Sequence, residues 1–143
     1  MRDVEARHAL LSRQSPKKQL TMHTPIVKFE DLIAWQKAQD LAVEVYRTFM
    51  TIRDFGFRGQ ICSAAVSVSN NIAEGFDSRS KKDFARFLNI SRNSCNEVKS
   101  MCYLAERLNY IAESKKADLI LTCSEVSKII TGLIRSIEKK LNA

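Results

Sequence analysis

From Phe29 to Leu141 the apolar residues recur at three- and four-residue steps, in four runs parted by short polar interruptions. That spacing gathers them on one face of an α-helix and scatters them over both faces of a strand, so it confines the chain to helices. The first run is predicted over about 30–49, with Trp35, Ala38, Ala42, Val45 and Phe49 as its stripe and Glu30 and Asp31 in its first turn, where acids suit the positive helix end. TIRDFGFRG, with Gly56 and Gly59, reads as the first connection. The second helix is expected over about 58–76. It has one stripe of Ile61, Ala64, Ala65, Val68 and Ile72 and a second strip of Cys62, Val66, Ser69 and Ala73, the pattern of a helix buried on more than one side.

Ser80 and Asp83 form a capping-box-like start to the third helix, expected to reach about Asn109. Its inward stripe is Phe84, Phe87, Leu88, Ser91, Cys95, Val98, Cys102, Ala105 and Leu108. The fourth helix, about 114–141, follows the AES turn, presents Leu119, Cys123, Val126, Ile130, Leu133, Ile134, Ile137 and Leu141, and ends on Lys139 and Lys140 at its negative pole. Four glycines and two prolines in 143 residues leave too little turn punctuation for a sheet. The simplest solution is all-α: an up-down-up-down antiparallel four-helix bundle, one domain over 28–143. Residues 1–27, with Pro16, Pro25 and SPKKQ, are expected to be an arm or flexible extension, with Met22 as an alternative start.

Chemistry is sparse. The two histidines, His8 and His23, both precede the bundle, and no glycine-rich phosphate loop, GxSxG or HExxH occurs. Cys62, Cys95, Cys102 and Cys123 lack CxxC spacing and read as reduced core residues, so neither a metal nor a cofactor is expected. Glu74 and Asp77 are the nearest carboxylate pair, read as a last-turn residue and a loop residue. The expectation is a non-enzyme. No run of about 18 apolar residues marks a membrane span and no leader opens the chain, which implies a cytoplasmic protein without membrane contact.

Charge is more informative. The net +7 is concentrated toward the N-terminus: residues 1–29 hold six Lys/Arg against two acids. The stretch RSKKDFARFLNISR at 79–92 holds five Lys/Arg against one acid. Helical spacing sets Lys82, Arg86, Asn89, Asn93 and Asn96 on one outward stripe, a face able to meet phosphates and base edges. Lys81 and Lys82 stand at the unfavourable positive end of a helix, so folding alone does not account for them. The candidate nucleic-acid contacts are Arg79, Lys81, Lys82, Arg86 and Arg92, helped by Lys17 and Lys18. With Phe84 and Phe87 turned inward, base stacking is not expected.

FEDLIAWQKAQDLAVEVY at 29–46 and AAVSVSNNIAEGFDSRSKKDFARFLNISRNSCNEV at 64–98 resemble the four-helix-bundle family of 23S rRNA-intervening sequence proteins. The resemblance rests on F-E-D-L, W-Q-K-A, A-A-V-S-[IV]-x-x-N-I-A-E-G and R-S-K-K-[ED]-F-x-R-F-L, in order. It implies a bundle that assembles as a homopentamer, similar in fold to the accessory variability proteins of diversity-generating retroelements, which bind nucleic acid and a reverse transcriptase. It brings no catalytic residues. The implied alternative to nucleic-acid binding is a protein–protein scaffold, an accessory subunit for an enzyme such as a reverse transcriptase. The chain departs from the family at Cys62 and Ser63, where relatives carry two arginines, and at Ser69, where they carry a proline that would kink the helix.

In SVSNNIAEGF at 67–76, Asn71 and Glu74 fall on the shared motif just before Gly75. They are expected to form, with Gly75, a structural polar joint: a buried amide and carboxylate bonded to backbone near Ser78 and Ser80 at the next helix start. Unpaired, such groups cost several kcal/mol, so pairing them fixes one geometry.

Overall fold

The computed structural model describes residues 25–143, and Lys17, Lys18, Met22 and both histidines lie outside the described residues. A 3-10 turn at Phe29–Asp31 is followed by four long helices: α1 Ile33–Phe49, α2 Phe55–Phe76, α3 Lys81–Arg107 and α4 Glu113–Leu141. No strand occurs among the described residues. Sequential helices pack on one another and α1 closes on α4, while the diagonal pairs α1–α3 and α2–α4 make no close backbone approach. Phe49, Leu41, Ile61, Ile72, Leu88, Leu119, Ile130 and Val98 are the bulk of the enclosed core.

Two helix starts differ from expectation, each for a local reason. α1 begins at Ile33 because Leu32 takes an extended conformation and turns its side chain into the core. Asp31 Oδ2 instead accepts from the backbone N–H groups of Val27 and Lys28, both at 3.2 Å. Trp35 is therefore only half-buried, packed edge-on against Phe29 with ring centroids 5.3 Å apart. α2 begins at Phe55, and Gly56 and Gly59 belong to the helix rather than to the connection. Asp54 caps it by accepting from Phe57 N–H at 3.1 Å, which satisfies one orphan donor of the first turn.

Ser80 caps α3 as the sequence predicts, its hydroxyl accepting from Asp83 N–H at 3.1 Å. At the other end Asn109 adopts φ 58°, and Tyr110 N–H and Asn109 N–H bond Ala105 O and Glu106 O. That paired pattern is a Schellman stop, with asparagine in the left-handed position glycine usually fills. Leu108 and Leu141, expected inside, are 43% and 48% exposed because each lies where its helix runs out of neighbours.

Candidate nucleic-acid interface

The corner between α2 and α3 is set by a missing side chain. Gly75 is buried, and a Cβ there would lie 2.7 Å from Phe87 Cβ and 2.9 Å from Phe84 Cδ1. The last turn of α2 thus presses directly on the first turns of α3, with Phe76 edge-on to Phe84 at 5.9 Å. Ser78 donates its hydroxyl to Gly75 O, and Asp77 N–H bonds Ala73 O at 3.3 Å. A tied corner results, and Arg79, Lys81 and Lys82 all project from it into solvent. None of the three takes part in an ion pair among the described residues.

The other basic residues differ in their surroundings. Arg86 is exposed one turn along, stacked over the Phe87 ring at 4.5 Å, and approaches Asp83 at 3.9 Å. Arg92 is half-buried, donating to Asn89 Oδ1 at 2.7 Å and to Thr131 Oγ1 at 3.3 Å, so it pins α3 to α4. Asn89, expected to face outward, is turned back on its own helix and donates to Ala85 O. The structure therefore gathers Arg79, Lys81, Lys82 and Arg86 at one corner and leaves Arg92 in a packing contact.

The polar joint is built differently from the sequence expectation. Glu74 is exposed and has no hydrogen-bond partner among the described residues, because its position on α2 faces away from the α3 start. Asn71 is half-buried and bonds one turn back, donating to Ser67 O at 2.8 Å and Ser67 Oγ at 2.9 Å. The bridge to α3 is made by hydroxyls instead: Ser67 to Ser94 at 2.9 Å, and Ser91 to Val68 O at 2.6 Å. Gln39 extends this seam to α1 by donating to Ser69 Oγ at 2.9 Å. No buried side-chain nitrogen or oxygen lacks a partner among the described residues. The joint's signal in the sequence was the helical spacing of Ser67 with Asn71 and of Ser91 with Ser94, small polar groups that face each other only once α2 and α3 pack.

All four cysteines are buried and free. Burial pushes the Cys102 thiol up to about 11, and the neighbouring Cys95 raises that of Cys123, so both stay protonated at neutral pH. No group of metal-ligating side chains assembles among the described residues. Two surface grooves lie elsewhere. One of about 510 Å³ runs between α1 and α2 past Tyr46, Phe55, Arg58 and Cys62; another of about 420 Å³ holds Asp40, Glu44, Arg47 and Lys115. In the second, Glu44 is already engaged by Lys115 at 3.3 Å and Thr122 at 3.4 Å. No helix among the described residues is long and apolar enough to cross a membrane.

A family model described as 23S rRNA-intervening sequence protein matches residues 30–132. Among solved structures, the chain is similar to a protein with unknown function of the S23 ribosomal protein family from Bacteroides thetaiotaomicron VPI-5482, with a TM-score of 0.67 and 24% identity. The match covers 71% of this chain and 98% of that one, and at such identity it speaks for the fold alone. Among curated proteins none matches.

Proposed function

Because the chain belongs to the 23S rRNA-intervening sequence protein family, we propose that it is a non-enzymatic, homo-oligomeric bundle that binds RNA or another nucleic acid through the α2–α3 corner. The observation that carries this reading is the exposure of Arg79, Lys81 and Lys82, free of carboxylate partners among the described residues, at the positive end of α3. Three cations at that pole raise each other's electrostatic energy, and an anionic backbone relieves it. Arg86 extends the surface along α3, while Lys17 and Lys18 are proposed helpers. Within the protomer the helices alternate up-down-up-down. This is supported by the pairings Gln60–Glu97 and Ser67–Ser94, whose numbers rise on α2 as they fall on α3. The proposed assembly is a cytoplasmic homopentamer.

Recognition here is directed at phosphates, so it is strongly salt-dependent and weakly sequence-selective. Fluorescence anisotropy with a labelled structured RNA, repeated between about 50 and 200 mM salt, tests it. Replacing Arg79, Lys81 and Lys82 together by alanine is expected to reduce the log–log salt slope by about 0.7–0.9 for each phosphate that is no longer neutralised. Absence of affinity at the lowest salt would refute the reading. The competing reading, a scaffold for a partner enzyme such as a reverse transcriptase, has in its favour the exposed apolar groove between α1 and α2. A protein partner that stays bound after nuclease treatment would support it.

A further inference from the structure

The α1–α2 groove has a composition that the protomer does not explain. Phe55 at its mouth is 73% exposed and Tyr46 is 50% exposed, and Met50 and Val43 continue the apolar strip along α1 at 60% and 46%. Aromatic residues and methionine beside an arginine are characteristic of interface cores, and monomers rarely leave such a strip contiguous in water. Arg58 is the one charged residue of the lining. Gly59 lies on the same wall, and a Cβ built there would meet nothing within 4 Å. Nothing inside the protomer needs a glycine at that helical position, where alanine is the better helix former. Its effect is to let an outside element approach the α2 backbone.

The outward face of α4 has the complementary composition. Leu121 is 61% exposed, and Asp118 and Glu125 flank it on the same face, both exposed and outside any ion pair among the described residues. An apolar knob between two carboxylates matches an apolar groove whose lining carries a single cation. α4 is diagonal to α2, so groove and knob lie on different sides of one protomer.

We propose that the α1–α2 groove receives the Asp118–Leu121–Glu125 face of α4 from a second copy of this chain. Leu121 enters between Tyr46 and Phe55 above Gly59, and the flanking carboxylates meet Arg58. Two different faces meet, so the contact is head-to-tail and propagates to a closed ring when the rotation per subunit permits. This rests on the homo-oligomeric reading above and supplies its interface.

Sedimentation velocity and light scattering on the full chain test it, with circular dichroism to verify the fold. Phe55→Asp and Leu121→Asp alter side chains exposed in the protomer. Each is expected to weaken assembly at least about 30-fold while helicity is kept. An equal mixture of the two variants is expected to give dimers and nothing larger, because one intact groove and one intact knob remain on different chains. Arg58→Glu is expected to weaken assembly, and adding Asp118→Arg with Glu125→Arg to restore it; this charge exchange decides the matter if an aspartate variant fails to fold. A wild-type chain that sediments as a protomer overturns both this interface and the oligomeric reading. Variants that keep the wild-type mass, or that dissociate without forming the mixed dimer, overturn the interface alone. Variants that assemble normally but lose RNA or a protein partner assign the groove to that partner and overturn it as well.

Discussion

Tyr110 donates its hydroxyl to Asp54 Oδ2 at 2.7 Å, joining the α3–α4 link to the α1–α2 link across 56 residues of sequence. Asp54 is also the cap of α2, so one carboxylate starts a helix and ties two loops together. The Tyr110 hydroxyl, and then Phe57 N–H, hold the Asp54 carboxyl below its usual 3.8. A carboxylate lowered on folding contributes stability that is present above its unfolded pKa and lost as pH falls through the folded one. Tyr110→Phe is expected to lower the thermal midpoint at pH 7, and the gap from wild type is expected to close in acid below the Asp54 titration. Melts followed by circular dichroism at both pH values check it, and a gap that persists unchanged in acid would contradict the linkage.

Gly75 is expected to be intolerant of even one methyl group. Alanine gains roughly 1 kcal/mol of helix propensity over glycine, but its Cβ would meet the Cβ of Phe87, which cannot rotate away. Overpacking of this kind costs about 1–3 kcal/mol, and it outweighs the propensity gain when α2 and α3 have to separate. Asn71→Ala removes bonds to Ser67 and is expected to cost about 1 kcal/mol. Glu74→Ala, at an exposed position, is expected to stay within about 0.5 kcal/mol of wild type. Urea titrations of the three variants order them Gly75, Asn71, Glu74 from most to least destabilised. A large loss at Glu74 would return that carboxylate to the joint.

The existence of the four helices and most of their buried faces was legible in the sequence, because a 3.6-residue period is a local property. What escaped depended on distant partners. Gly56 and Gly59 read as a break because the cap that carries α2 through them, Asp54, is oriented by Tyr110 from 56 residues away in the α3–α4 link. Arg92 read as a candidate nucleic-acid contact because Thr131, which receives it, lies 39 residues away on α4. Of the candidate interface, the corner formed by Arg79, Lys81 and Lys82 was visible as a charge run; the packing role of Arg92 was not. The joint in SVSNNIAEGF was seen at the right turn of α2 but given the wrong partners, since exposure of Glu74 is decided by how α2 is rotated against α3.

Asn109 ends α3 in the left-handed region at φ 58°, where a β-branched side chain clashes with its own backbone. Asn109→Val is expected to destabilise the protein by about 1–2 kcal/mol. Asn109→Gly is expected to be neutral or slightly stabilising, since glycine is the usual residue at this position of a Schellman stop. Chemical denaturation of both variants measures the difference. Equal stabilities would mean that the Tyr110 and Asn109 bonds to the end of α3 are not holding this geometry in solution.

Arg92 and Lys81 separate packing from binding. Arg92→Ala breaks the bonds to Asn89 and Thr131 and is expected to cost about 1 kcal/mol of stability, because α3 and α4 are then joined less firmly. Lys81→Ala removes an exposed cation outside any ion pair among the described residues, leaving stability within about 0.5 kcal/mol while weakening RNA binding at low salt. The two substitutions remove the same formal charge, so a purely nonspecific attraction to net charge would weaken RNA binding equally in both. Denaturation curves and anisotropy titrations on the same preparations are expected to cross over: Arg92→Ala less stable with affinity largely kept, Lys81→Ala fully stable with affinity reduced. Equal losses of affinity would shift the interface from the α2–α3 corner to the overall field of the protein.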